Sequence, residues 1–373
     1  MVDVAIIGAG INGSATAFEL TQRNKSVMLF DMEGIASGGS GAAGAFISPK
    51  FSKYGELKEL IHKAFIYSLA FYEKHFPHLL LKSPLLHVAQ DDADAAVLKL
   101  YKEHTSLEIL DSLKTKISNL TQEAQSKESI SIQSGIVNAK KMCEALAGDA
   151  IYRQEKVTTL YYDDGIWIIN DTYSAKHVVL ATGAYESVID EEYLNIRGIW
   201  GHRIDIKTSS ENPYSIHQFV SISPKKNGVV AIGATHNVHY HPQKNTEPYD
   251  VAAGRKELLE KASRTIKLQD IEVIKDYTGL RSASTDYMPL LGSLVMSQET
   301  IACCLRDAKI KKTPYEKFIH YPNLTMINGN GGYGFVLAPY LAKMLVEYIY
   351  DEKLIAKSLS PARGFSRWAR RYR

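Results

Sequence analysis

Cysteine is scarce. Cys143, Cys303 and Cys304 are the only three in 373 residues, at spacings that build neither a disulfide framework nor a zinc cluster. They read as ordinary core or near-surface thiols. No apolar run is long enough to span a bilayer, and the first strand begins at Val2 with no room for a signal peptide. A cytoplasmic location is therefore expected. Repeats and low-complexity tracts are missing as well, and a net charge of only +3 neither demands nor excludes a nucleic-acid partner. His236, His239 and His241 alternate without a carboxylate or cysteine cluster beside them, so no metal is expected. What is present is 45% hydrophobic content, enough for a large core split between two lobes.

The densest signal lies between Val4 and Asp31. An apolar strand (Val4 to Ile7) runs into Gly8, Gly10 and Gly13, then a helix, a second strand (Val27 to Phe30) and an acid. Gly8 permits a tight turn, Gly10 lets the backbone approach a pyrophosphate, and Gly13 lets the helix pack closely on the strand. The helix N-terminus offers free N–H groups and positive dipole to phosphates. Asp31, at the strand tip, can accept from both hydroxyls of an adenosine ribose and would repel a 2′-phosphate. The order of strand, turn, helix, strand and acid points to an ADP-containing dinucleotide.

Beyond this half-site, residues 34 to 45 form a second loop of glycine and small residues that can lie against a ligand. Leu57, Leu60, Ile61, Ala64, Phe65, Leu69 and Phe76 recur at helical spacing and predict a core-facing helix over 56–76. Asp91 to Glu128 reads as helices and connections of a peripheral lobe. Asp164-Gly165 and Asn227-Gly228 each predict a hairpin. The middle and later chain is thus richer in antiparallel strands than the start.

Two more glycine sites qualify the dinucleotide. Val178, Val179 and Leu180 form a buried strand ending in Ala181-Thr182-Gly183. Leu324 to Asn328 reads as a strand leading into Gly329, Gly331 and Gly334 and a helix to about Tyr348. These glycines also satisfy GxGxxG, but the 39 residues after Gly334 allow one helix and a tail rather than another βαβ unit with its own acid. Both helix N-termini would then serve one long cofactor, the second stabilising the anionic reduced ring of a flavin.

The segments AIIGAGINGSATAFEL with Asp31, SGGSGAAGAFISP, VVLATGAY, GLRSASTDYMPLLG and NGNGGYGFVLAP together resemble the FAD-dependent D-amino-acid oxidase superfamily, which includes glycine and sarcosine oxidases. Within it, ELKELIHKAFIYSLAFYEKHF, SGIVNAKKMCEAL, Arg281 to Gly292 and LSPARGFSRWARR most resemble the oxidase half of the bifunctional tRNA 5-methylaminomethyl-2-thiouridine biosynthesis proteins. The resemblance implies an α/β chain, α+β overall. A Rossmann-like FAD-binding domain with a parallel sheet would cover 1–80, 136–196 and 320–373. A substrate domain with a mixed or antiparallel sheet would cover 81–135 and 197–319. FAD would be lined by Gly8, Gly10, Ile11, Asn12 and Gly13, by Asp31 and Met32, and by Gly38, Gly39, Ala43 and Gly44. Val157, then Ala181, Thr182 and Gly183, then Gly331, Gly332, Tyr333 and Gly334 would complete the lining.

Relatives of this kind move hydride from the carbon beside a nitrogen, and the flavin does the hard part. The protein must hold a carboxylate so that the C–H is aimed, a task suited to a bidentate arginine. Arg281 stands in the Gly-Leu-Arg position resembling the carboxylate-binding arginine of glycine oxidase; the alternative is an ordinary salt bridge. Relatives often carry another arginine in the last glycine loop, where Gly332 and Tyr333 stand here, so Tyr333 either bonds the carboxylate or amine or packs on the flavin edge. Lys50 would supply positive charge to help oxygen accept electrons. His202 and Arg203 read more readily as a solvated strand end than as pocket residues.

The resemblance implies removal of the carboxymethyl group from 5-carboxymethylaminomethyl-uridine at the tRNA wobble position, with glyoxylate released. Arg363, Arg367, Arg370, Arg371 and Arg373 would offer one arm of a basic surface for tRNA. Because the methyltransferase half precedes the oxidase in that family, a separate methyltransferase would act afterwards. The rival reading is an oxidase or dehydrogenase of a free small amino acid such as glycine, sarcosine or a D-amino acid.

Overall fold

The computed structural model describes residues 1–110, 113–304 and 315–371. In chain order the first half holds β1 (Val2–Ile7), α1 (Ile11–Thr21), β2 (Val27–Asp31), α2 (Gly39–Ala42), β3 (Phe46–Ile47), α3 (Glu56–His75), β4 (Leu80–Val88), α4 (Asp92–His104), α5 (Gln122–Ser126), β5 (Ser129–Val137), α6 (Ala139–Ala147), β6 (Ile151–Gln154), β7 (Leu160–Asp163), β8 (Ile166–Ile169) and β9 (Tyr173–Leu180). There follow β10 (Arg197–Lys207), β11 (Ser215–His217), β12 (Ser221–Ile222), β13 (Val229–Gly233), α7 (Val251–Ser263), β14 (Glu272–Ala283), β15 (Leu290–Val295), α8 (Ser297–Cys304), β16 (His320–Asn328), α9 (Gly334–Tyr350) and α10 (Ala362–Trp368).

The chain divides into two compact units, one of Met1–Ser40, Cys143–Gly198 and Arg281–Arg373, the other of Gly41–Met142 and Ile199–Leu280. The first is built on a sheet in the order β15-β16-β9-β1-β2-β6, with β8 and β7 added beside β9. The contacts among β16, β9, β1, β2 and β6 are parallel, and β15 runs antiparallel on the edge. Val4, Ala5 and Ile6 are fully buried, as befits the central strand of a parallel sheet covered on both faces. The second unit holds a largely antiparallel sheet in the order β14-β10-β13-β12-β11-β4-β5-β3. One face packs Leu86, Ile204, Ile216 and Ile232 against Ala124 of α5 and Leu258 and Ala262 of α7. The α/β class, with one mostly parallel and one mixed sheet, is as expected.

The division differs from the expected one in two long stretches, with smaller shifts at 136–142 and 197–198. Residues 41–80 fall in the second unit because β3 pairs with β5 of its sheet. Residues 281–319 fall in the first because β15 pairs with β16. Local signals fared well. α3 buries Ile61, Ala64, Phe65 and Phe71, and Asp91 caps α4 by accepting from the Asp94 N–H. Both hairpin turns carry positive φ at their two central residues, 41° and 85° at Asp164-Gly165, 52° and 78° at Asn227-Gly228, the geometry that matches strand twist. Cys143 is buried and Cys303 exposed; the Cys304 side chain lies outside what is described.

The tail corrects a second expectation. Arg363 is no free arm for a polyanion: its side chain is only 12% exposed and forks onto Asp286, Nε to Oδ2 at 3.1 Å and Nη2 to Oδ1 at 3.0 Å. It also donates to the Met288 and Leu359 carbonyls. Arg367, Arg370 and Arg371 are exposed; Arg373 lies outside the described residues. Burial pushes the Asp286 carboxyl up, but the guanidinium and the Ser284 hydroxyl outweigh it and bring it down to about 2. A carboxylate depressed below its unfolded value stabilises the fold above pH of about 4 and loses that contribution as pH falls toward 2. Arg363→Ala should lower stability by about 2 kcal/mol at pH 7, between the values for exposed and buried pairs. The difference from the parent should shrink in acid denaturation below pH of about 4; a constant difference across that range would contradict the pairing.

Candidate functional site

The first unit brings its small-residue turns together. Gly8 sits at φ 104°, and a Cβ there would lie 2.4 Å from the Ala181 carbonyl oxygen, so the strand tips β1 and β9 meet only through glycine. A Cβ on Gly13 would lie 1.8 Å from the Gly8 oxygen, which fixes how closely α1 follows β1. The third turn joins them from β16: Asn12 Nδ2 donates to the Ile327 carbonyl at 3.3 Å, and Asn330 Nδ2 donates to Asn12 Oδ1 at 2.6 Å. Asn328 Nδ2 donates to the Gly183 carbonyl at 2.8 Å. A Cβ on Gly334 would stand 3.2 Å from Ile11, so α9 starts against the start of α1.

Neither α1 nor α9 has a side-chain N-cap or an acid in its first turn. Their N-termini are suited to negative charge. Asp31 closes the pattern at the tip of β2. Its Oδ2 accepts from the Ala9 N–H at 2.8 Å and its Oδ1 from the Glu33 and Gly34 N–H groups, each at 3.1 Å. With one protein donor on Oδ2, that oxygen keeps acceptor capacity for a hydroxyl. Met32 beside it is exposed and Val157 is buried in the same unit's core. Gly38 is held against the Tyr185 ring, 3.0 Å from where its Cβ would be.

These residues fit an adenine dinucleotide on two further grounds. The buried Oδ1 of Asn330 has no hydrogen-bond partner, leaving an acceptor for a ligand N–H or hydroxyl. Gly331 and Gly332 leave open space where a Cβ would stand. Two residues escaped the sequence reading, Asn330 and Ser40, whose Oγ accepts from the Ile11 N–H at 2.9 Å. Neither carries a signal beyond lying in a glycine loop.

Arg281 lies on β14 two residues before Ala283, which bridges to Asn330, and is thereby beside the last glycine turn. It is half-buried, and burial draws its guanidinium below the ordinary value while leaving it charged. Tyr333 occupies the N-cap position of α9 without a side-chain capping bond; burial pushes its phenol up to about 12, so it stays a neutral donor and acceptor. Ala43, Gly44 and Lys50 belong to the second unit.

His202 and Arg203 are not a solvated strand end. The His202 side chain is fully buried, its Nε2 2.9 Å from Asp276 Oδ1. Asp276 also accepts from Arg255 Nε at 2.8 Å, and the hydrogen bond from Arg255 leads the causes that lower its carboxyl. Arg203 is 14% exposed, with its guanidinium 3.8 Å from the Tyr277 ring centroid. Packing of α7 on this sheet is what buries the histidine. Among the described residues no group of three or more His, Cys, Asp or Glu is placed to hold a metal ion, and no helix is long and apolar enough to cross a membrane.

Residues 3–348 match the family model described as FAD dependent oxidoreductase, DAO. The tRNA 5-methylaminomethyl-2-thiouridine biosynthesis bifunctional protein MnmC of Legionella pneumophila strain Corby is 24% identical over 96% of this chain and 56% of its own length. The chain thus spans about half the length of the curated relatives it matches. Glycine oxidase from Bacillus cereus ATCC 14579 shares the fold with a TM-score of 0.75 at 19% identity, over 95% of this chain and 96% of that one. L-Proline dehydrogenase from P. horikoshii does so with a TM-score of 0.75 at 15% identity, over 99% and 98%.

Proposed function

The chain belongs to the DAO family of FAD-dependent oxidoreductases, and from that premise we propose that it removes the carboxymethyl group from 5-carboxymethylaminomethyl-uridine at the tRNA wobble position. The observation that carries the reading is Arg281, a half-buried guanidinium next to the glycine turn that starts α9. FAD, when bound, accepts two electrons and one hydrogen from the C–H beside the substrate nitrogen. The nitrogen loses its proton, and the imine so formed takes up water and separates into aminomethyl-uridine and glyoxylate. Arg281 grips the carboxylate bidentately and fixes which C–H is presented. The neutral phenol of Tyr333 hydrogen-bonds the carboxylate or the amine. Lys50 supplies positive charge that favours electron transfer to oxygen.

The α1 turn, Asp31 and the Ala181–Gly183 tip, all of the first unit, hold the dinucleotide. The choice of tRNA follows the MnmC relatives, named for tRNA 5-methylaminomethyl-2-thiouridine biosynthesis. Exposed Arg367, Arg370 and Arg371 suit the phosphate backbone. The test is nucleoside analysis of tRNA from a strain lacking this protein, where 5-carboxymethylaminomethyl-uridine should accumulate. An unchanged profile, with peroxide formed by purified protein from glycine or sarcosine, would instead support a free amino acid as substrate.

A further inference from the structure

Across the second unit's sheet, Arg203 of β10 stands opposite Gly233 of β13, Gly233 opposite Ser221 of β12, Ser221 opposite His217 of β11, and His217 opposite His87 of β4. Directly paired residues project to one face. Their chain neighbours Ile204, Ile232, Ile216 and Leu86 pack toward α5 and α7, so this polar row lies on the face away from the helices. Asp205, two residues beyond Arg203, shares that face.

Four buried atoms on this face have no hydrogen-bond partner: Arg203 Nε, Asp205 Oδ1, His217 Nε2 and His87 Nδ1. Buried polar atoms are nearly always satisfied, so a cluster of exceptions marks a place that a ligand completes. Arg203 Nη1 and Asp205 Oδ1 are 3.4 Å apart, which sets a donor and an acceptor side by side on side chains that keep 14% and 17% of their surface exposed. The Tyr277 ring lies 3.8 Å from the guanidinium carbon, and Phe46 packs its ring 4.9 Å from that of His217. Gly44 adjoins both sides of this group: a Cβ there would stand 2.8 Å from Phe46 and 3.9 Å from Arg203.

We propose that Arg203 and Asp205 form a base subsite that reads the imide edge of a uracil, Arg203 donating to a ring carbonyl and Asp205 accepting from the adjacent N3–H. The inference rests on the function proposed above. A donor beside an acceptor suits a neutral imide, which offers a carbonyl next to an N–H, rather than a carboxylate, which only accepts. Burial, reinforced by His87, brings the His217 imidazole down to about 3, which keeps this neighbour neutral and consistent with an uncharged ligand edge.

The experiment compares holoenzyme kinetics on 5-carboxymethylaminomethyl-uridine nucleoside and on sarcosine, which lacks the base. Arg203→Met and Asp205→Asn should each raise KM for the nucleoside about tenfold or more, the loss of one charge-assisted hydrogen bond, with kcat within about twofold and sarcosine KM unchanged. Arg203→Lys, which keeps the charge beside Asp205 but lacks the Nε donor, serves if the methionine variant does not fold. Uridine titration followed by flavin absorbance should show the same weakening without turnover. Unchanged nucleoside KM, or equal rises for both substrates, would overturn the subsite and leave the tRNA reading standing. A parent enzyme that oxidises sarcosine but not the nucleoside would overturn the tRNA reading itself.

Discussion

Arg281→Ala is expected to lower kcat/KM by about a thousandfold while FAD stays bound. Truncating one partner of a desolvated, hydrogen-bonded charge pair costs about 4 kcal/mol, and each 1.36 kcal/mol is a tenfold change in rate. The loss should exceed that at any other position because Arg281 is proposed both to bind the substrate and to orient its reacting carbon. Arg281→Lys should recover only part of the activity, since an ammonium keeps the charge but not the planar fork. The flavin spectrum should be unaltered in both variants. Alanine kinetics within about threefold of the parent would return Arg281 to a structural salt bridge.

Gly13→Ala should cripple cofactor retention. Its Cβ would collide at 1.8 Å with the Gly8 oxygen and at 3.0 Å with the Gly8 carbon, and the Gly8 turn is itself tied to β2, its N–H donating to the Phe30 carbonyl at 2.8 Å. The start of α1 would have to move by more than 1 Å or so, beyond what overpacked sites absorb for 1–3 kcal/mol, so a loss of about 3 kcal/mol or more in stability is expected. FAD affinity should fall at least about a hundredfold with the displaced N–H groups. Gly332→Ala is the control. Open space surrounds its missing Cβ, so the fold should be unaffected and only FAD binding weakened. Thermal unfolding with and without FAD, together with fluorescence titration, reads both effects; a Gly13→Ala protein of parental stability would contradict the close packing described.

What the sequence revealed is what short-range physics controls. The Gly8–Gly13 turn, the Asp31 tip, both type I′ hairpins and α3 follow from spacing and turn chemistry over a few residues. The convergence of Gly183, Asn328 and Asn330 on the α1 turn was implied by the dinucleotide, although the side-chain amide hydrogen bonds that stitch it together join residues far apart in the chain, 145 positions for Asn328 and Gly183 and 318 for Asn12 and Asn330. Burial that depends on remote packing left no local trace. His202 disappears because α7, some fifty residues later, brings Gly254 so close that a Cβ there would stand 2.2 Å from the His202 Nδ1. Arg363 reads as one member of a basic run until Asp286, 77 residues earlier, is found in its fork. Arg203 and Asp205 likewise look like ordinary alternation in a strand. Only the register across β10, β13, β12 and β11 lines Arg203 up with His217, whose buried Nε2 lacks a hydrogen bond.

The central claim is that three small-residue turns of the first unit hold one FAD between two helix N-termini. It is tested most directly by FAD stoichiometry, measured by titrating flavin-free protein to saturation and quantifying what is released on denaturation. One FAD per chain is expected, because the glycines at 329, 331 and 334 serve the far end of the molecule whose near end lies on Gly8, Gly10 and Gly13. Two nucleotides per chain, one for each GxGxxG, or no flavin bound at saturation, would contradict it.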